Sequence, residues 1–205
     1  MQITKQRYYT PEEYLELEEA AEYKSEYIDG QIIPIAGGTA NHNRIAGNFY
    51  AVLNFAFRQQ EYEVFNSDMR LWIHQKHIYT YPDVTVIAGE PEFFHNRTDI
   101  ITNPQLIVEV LSKSTNNYDR EDQFQVYRTI STFQEYLLID QTRIHVEQFS
   151  KIGKKQWTLR EYDEEDEAIA LVTVQFEISL QDLYNKVKFE PVEAEPESTD
   201  VEGLG

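Results

Sequence analysis

The chain has 205 residues, 41% hydrophobic and 13% aromatic, enough to bury one good core but not several. With no cysteine it has no disulfide and no cysteine-ligated zinc, and a formal charge of −18 excludes a uniformly basic nucleic-acid surface. The acid excess is uneven: residues 161–205 carry 14 acids and 2 bases, leaving −6 for residues 1–160, so a local basic rim is compatible with the total.

The first residues, Met1 to Lys5, lack the apolar centre of a signal peptide, and no apolar run is long enough to cross a bilayer; a cytoplasmic protein without membrane contact is expected. Thr10-Pro11-Glu12-Glu13 is a capping box with proline at the first helical position, which predicts a helix from Pro11 to Glu22. Tyr23 to Ile35 reads as a hairpin turning at Asp29-Gly30. Gly37-Gly38-Thr39 is a loop without the spacing or lysine of a phosphate-binding loop. A second helix is expected from Asn41, with that asparagine as its cap and Ile45, Phe49, Val52, Leu53 and Ala56 at helical spacing.

Short strands follow at Tyr62 to Phe65 and Met69 to Ile73, and His77 to Tyr81 leads towards a further strand. The stretch from Glu90 to Asn103 is a polar loop, placed where a lid or substrate-contact loop would sit. Asp119 to Ile130 reads as a helix with Asp119, Gln123 and Tyr127 stacked on one side. Glu135 to Ile139 and Arg143 to Phe149 read as an antiparallel pair, with Trp157 to Tyr162 and Ile169 to Val174 extending the β-rich half and Ser179 to Tyr184 forming a short capped helix. One domain over residues 1–189 is expected, followed by an acidic disordered tail, 190–205, with six acids and no bases.

Two of these stretches place a carboxylate in an apolar, largely β-branched run: Tyr81-Pro82-Asp83-Val84-Thr85-Val86-Ile87 and Leu106-Ile107-Val108-Glu109-Val110-Leu111. They read as neighbouring core strands, with proline marking where the first begins. Period-two alternation puts Glu109 on one face with Ile107 and Leu111, opposite Leu106, Val108 and Val110. A buried charge is costly alone, so Glu109 calls for a proton, a metal, or a cation such as Arg120 or Arg128. If Asp83 lies across the sheet, the two carboxylates make an all-oxygen site suited to Mg2+ or Mn2+.

Glu26 ahead of Tyr27-Ile28-Asp29-Gly30, His42 at a helix start, Pro82-Asp83-Val84, the run from Val108 to Thr115, then Asp119-Arg120 and Tyr127 together carry a resemblance. Over roughly Tyr8 to Tyr184 the chain resembles the Uma-type restriction endonuclease family, long labelled a domain of unknown function, within the PD-(D/E)XK nuclease superfamily. The resemblance implies an α/β fold of restriction-endonuclease type, a mixed β-sheet flanked by helices. It also implies Asp83 and Glu109 as metal ligands, Glu26 as an outer acidic member of the site, and DNA as the partner. Phosphodiester hydrolysis needs an activated water and charge stabilisation at phosphorus, which a carboxylate-held metal and a nearby lysine supply. His42, Lys113 and Arg120 are candidate nucleic-acid contacts. A homodimer is expected where both strands of a duplex are cut, since that commonly uses two copies of one site.

The chain departs from the pattern at the lysine. Leu111 stands where the superfamily places it two residues after the acid, and Gln123 stands where Uma-type relatives carry it, four residues after the aspartate of Asp119-Arg120. Glutamine can hydrogen-bond a water but cannot act as its base or place a charge on phosphate. Lys113, four residues after Glu109, is the nearest substitute along the chain. Two readings stay open: a metal-dependent DNA endonuclease of weakened activity, and a nuclease fold that no longer cuts and acts as a binding or regulatory module.

Overall fold

The computed structural model describes residues 7–111 and 122–190. Lys113, Asp119, Arg120 and the tail from residue 191 lie outside the described residues.

Helix α1, Pro11–Glu19, begins on the predicted box: Thr10 Oγ accepts from the Glu13 N–H at 3.2 Å, and the Glu13 carboxylate accepts from the Thr10 N–H at 2.8 Å. It stops three residues before Glu22, because residues 20–22 are exposed and bury nothing that would offset the entropy of ordering them. Strands β1, Ser25–Ile28, and β2, Gln31–Pro34, form the predicted hairpin. Asp29 and Gly30 both have positive φ (42° and 93°), the two-residue turn whose twist matches the strands.

Helix α2, Ala40–Phe57, starts earlier than expected, and its cap is Thr39 rather than Asn41. Thr39 Oγ accepts from the His42 N–H at 3.1 Å, while the Asn41 amide donates to the Lys188 carbonyl at 2.7 Å. Ile45, Phe49, Leu53 and Phe57 are buried at four-residue spacing, each contributing roughly 1.5–3 kcal/mol by leaving water.

Strands β3, Tyr62–Asn66, and β4, Arg70–Ile73, follow, then β5, Ile78–Thr80, and β6, Val84–Ala88. Next come β7, Ile100–Ile101, β8, Leu106–Leu111, and α3, Phe124–Tyr127. Strands β9, Glu135–Asp140, β10, Val146–Gly153, and β11, Gln156–Tyr162, form a meander; β12, Ala168–Leu171, β13, Phe176–Ser179, and α4, Leu180–Leu183, close the described chain.

Among the described residues the strands form three sheets: β2-β1-β5-β4-β7, β11-β10-β9-β8-β6-β3, and the hairpin β12-β13. The expectation that His77 to Tyr81 runs on into the Asp83 strand meets a change of sheet. β5 belongs to the five-stranded sheet and β6 to the six-stranded one, with Tyr81-Pro82-Asp83 as the crossing. The Glu90–Asn103 loop is anchored rather than hung over the carboxylates. Its end forms β7, parallel to β4, and the Arg97 guanidinium bonds both Asp99 oxygens at 2.8 Å and Glu19 at 2.7 Å. Those bonds hold the Asp99 carboxyl below its usual range.

Alternation along the strands sorts the core into three parts. Leu106, Val108 and Val110 face α2 with Val84, Val86, Leu137 and Ile139, and the β12-β13 hairpin completes that layer. Ile107, Leu111, Tyr136 and Leu138 face the other way, towards α3 and Leu71, Ile73 and Ile78 of the five-stranded sheet. Tyr14, Tyr27, Trp72, Tyr79 and Ile100 fill the space between α1 and the outer face of that sheet. The buried tyrosines there are held neutral by desolvation, Tyr79 being pushed up to about 12.

Candidate active site

β6 and β8 are antiparallel neighbours with Val84 opposite Val108, so Asp83, one residue before β6, stands level with Glu109. The ladder ends at this point and side chains take over from backbone. The Asp83 N–H points to Glu109 Oε2 at 3.4 Å, and Asp83 Oδ2 accepts from the Val110 N–H at 2.7 Å. Both carboxylates are largely buried, with Asp83 11% exposed at its side chain and Glu109 9% overall.

Side chains from the two helices α2 and α3 reach this pair, and two strands of the other large sheet line a cavity beside it. The His42 ring, in the first turn of α2, places Nε2 2.9 Å from Asp83 Oδ1. From α3, Tyr127 donates its hydroxyl to Glu109 Oε1 at 2.7 Å, and Gln123 Nε2 donates to the same oxygen at 3.2 Å and to the Tyr127 oxygen at 2.8 Å. From β1, Glu26 accepts from the Thr80 hydroxyl on β5. Glu26, Thr80, Gln123 and Tyr127 line one small cavity with Ile28, Ile73, Ile78 and Val126. Burial, and after it the charge of Glu109, push the Tyr127 hydroxyl well above the tyrosine range, so it remains a donor.

The donor set fits a divalent ion. Each carboxylate offers two hard oxygens, and the two groups stand side by side at the end of the ladder. Gln123 Oε1 is buried with no hydrogen-bond partner among the described residues, a neutral hard oxygen on the residue that already bonds Glu109. Two carboxylates and an amide oxygen suit Mg2+ or Mn2+.

Asp83, Glu109, Glu26, Gln123 and His42 are thus brought together from α2, α3 and both large sheets. His42, expected as a nucleic-acid contact, has its ring against Asp83. Arg128, weighed as a partner for Glu109, lies over the Phe124 ring. Tyr127 was legible only as a member of the helix face, and its bond to Glu109 depends on how α3 docks. A further group the sequence did not single out is His145, Glu147 and Glu161, whose ligand atoms lie within 4.8 Å of one another on and beside β10 and β11.

The model of the Uma2 family, described as "Putative restriction endonuclease", matches residues 11–181. The chain belongs to this family. The Uma2 match takes in every strand described above and all the residues gathered at Asp83 and Glu109. The chain is 52% identical over 152 residues to the uncharacterized protein sll1609 of Synechocystis sp., covering 74% of this chain and 86% of that protein. It is 33% identical over 180 residues to the uncharacterized protein slr1290 of the same organism, covering 88% of this chain and 93% of that protein. Among solved structures it is similar to one described as a putative nuclease belonging to DUF820 from Anabaena variabilis, with a TM-score of 0.70 over 86% of this chain and 97% of that one. At 23% identity that likeness establishes the fold.

Proposed function

We propose that this Uma2-family chain is a divalent-metal-dependent phosphodiesterase acting on DNA, with Asp83 and Glu109 as the metal-holding carboxylates. The observation that carries the reading is the side-by-side placement of those two buried carboxylates next to Gln123 Oε1, which has no hydrogen-bond partner among the described residues. Bound there, Mg2+ or Mn2+ would supply Lewis-acid stabilisation of charge at phosphorus and a water acidic enough to attack it. The chain's own residues do the positioning. His42 and the Val110 N–H fix the Asp83 carboxylate from two sides, Tyr127 and Gln123 fix Glu109, and Glu26 closes the cavity from the facing sheet.

Gln123 sets the expected level of activity. Its amide donates to Glu109 from the place where relatives are expected to carry a lysine, and an amide neither takes a proton from water nor brings charge to the phosphate. Weak cleavage is therefore the reading, with Lys113 and Arg120, outside the described residues, as the remaining cations for the phosphate. The same glutamine, with a net charge of −18, favours a second reading, a nuclease fold that binds a metal and acts as a regulatory module without cutting. Two copies of the site, one per strand of a duplex, and a cytoplasmic location complete the proposal. Among the described residues no helix is long and apolar enough to cross a membrane.

Calorimetry with Mg2+ and Mn2+, followed by plasmid cleavage in Mn2+, tests both readings. Asp83→Asn and Glu109→Gln should each remove metal binding. Gln123→Lys should increase cleavage, and Lys113→Ala should abolish any residual cutting if that lysine has taken over. Metal affinity unchanged in both carboxylate variants would overturn the site. A sound metal site without cleavage, even in Gln123→Lys, would leave the module reading.

A further inference from the structure

Six-stranded sheet register sets four side chains in one row on a single face: Glu161 is paired with Glu147, Glu147 with Leu138, and Leu138 with Glu109. Glu147 and Glu161 are thus direct cross-strand partners, and like charges in that relation repel. The strand pairing itself holds the two carboxylates together, with Glu147 buried at 7% exposed. His145, two residues before Glu147 and so on the same face, turns its ring to this pair, with Nε2 3.2 Å from Glu161 Oε1.

Its main chain is pinned: the His145 N–H donates to the Tyr184 hydroxyl oxygen at 3.1 Å, and its carbonyl accepts from the Asp140 N–H at 2.9 Å. One imidazole nitrogen and two carboxylate oxygens therefore converge from a rigid strand pair, all within 4.8 Å of one another. Donors around a tetrahedral ion with bonds of about 2.0–2.1 Å stand about 3.3 Å apart, close to the separation His145 and Glu161 already have.

We infer that His145, Glu147 and Glu161 form a second cation site, selective for a transition-metal dication such as Zn2+. The imidazole decides the class, because nitrogen with carboxylate oxygens suits Zn2+ whereas Mg2+ prefers oxygen alone. The site is separate from the Asp83 and Glu109 pair. Two strand spacings put Glu147 about 10 Å from Glu109, beyond the roughly 3.5–4 Å of a two-metal centre. Three protein donors leave a fourth position for water or an anionic oxygen, such as that of a phosphate.

The test is calorimetry of the full chain, without an affinity tag, titrated with ZnCl2 and separately with MgCl2. In the native protein Zn2+ should bind at this site. His145→Ala and Glu161→Gln should each weaken that binding more than about a hundredfold, since even loss of an outer partner of a metal ligand costs about 10–100-fold. Mg2+ binding should not change in either. The double variant Asp83→Asn with Glu109→Gln should keep the Zn2+ event, which separates this site from the proposed active site. Glu161 is exposed, so Glu161→Gln decides the matter if His145→Ala fails to fold. Absence of Zn2+ binding, affinity unchanged in Glu161→Gln, or its loss only in the Asp83 and Glu109 variant would each overturn the inference and leave His145 as an ion-pair partner of the two glutamates.

Discussion

Glu109 and Glu135 are both buried glutamates on adjacent parallel strands, β8 and β9, and they are used in opposite ways. Glu135, fully buried, is bound by four groups of the chain. The Val172 and Thr173 N–H groups donate to it at 3.0 and 2.8 Å, and the Thr173 hydroxyl and Gln148 amide at 2.5 Å. It ties the turn after β12 to the start of β9, and its bonding is complete within the protein. Among the described residues Glu109 is bonded by Tyr127, Gln123 and the Asp83 N–H, and it also stands beside a second carboxylate and near Gln123 Oε1, which has no partner among those residues. Burial of a carboxylate therefore does not mark a site. The mark is a buried carboxylate whose neighbours include another acid and an unfilled acceptor.

The strongest way to break this contrast is Glu135→Ala. It leaves the buried Gln148 amide and the part-buried Val172 and Thr173 donors without their acceptor, at up to about 1–3 kcal/mol for a group that water cannot reach, so the melting temperature should fall by roughly 5 °C or more. Metal binding by the folded fraction should be retained. A melting temperature within about 2 °C of the native value would show that Glu135 is no strap.

Next in size is Glu109→Gln, which should cost little stability, because the amide oxygen still accepts from Tyr127 while the buried charge is removed. Mg2+ binding should be lost, as expected when one of few charged oxygens is removed. Relief of charge repulsion alone would also favour alanine at this position. The Tyr127 and Gln123 donors argue otherwise, and Glu109→Ala should be the less stable of the two by about 1–3 kcal/mol in urea unfolding.

A smaller effect sharpens the role of Tyr127. Its pKa is raised in the folded state, as are those of Tyr14, Tyr79 and Tyr184. The stability linked to these groups is fully present below the unfolded tyrosine value, about 10, and is lost as pH rises above it, because the unfolded chain ionises first. Tyr127→Phe should lower stability at pH 8 by about 1 kcal/mol through the lost bond. It should also make the decline between pH 10 and 11 shallower by at most about 1.4 kcal/mol per pH unit, read by denaturation at each pH. An unchanged slope would mean that Tyr127 ionises in the folded protein.

Local signals carried much of this in the sequence. The capping box at Thr10, the Asp29-Gly30 turn and the β-branched runs around Asp83 and Glu109 each state a local conformation, and alternation was enough to separate the faces of β8. What needed the fold was whatever depends on register or docking. Short apolar runs on either side of Tyr81-Pro82-Asp83 give no sign that they enter different sheets. Thr39 and Asn41 are equally good caps on paper, and the contacts of Asn41 with residues 141 and 188 are what separate them. β7 and β13 are too short to show a period, and the facing of Glu147 and Glu161 exists only once β10 and β11 have paired.

The crossing at Tyr81-Pro82-Asp83 has a kinetic corollary. Glu26 and Thr80 belong to one sheet, and Asp83 and Glu109 to the other, so the site is assembled only when two sheets formed by separate sets of strands come together. Pairings such as β1 with β5 join residues some fifty positions apart, a loop-closure cost paid before the contacts reward it. Closure of the cavity that Glu26 and Thr80 share with Gln123 and Tyr127 would consequently report the completion of folding, whereas the pairing of Asp83 with Glu109 needs the six-stranded sheet alone.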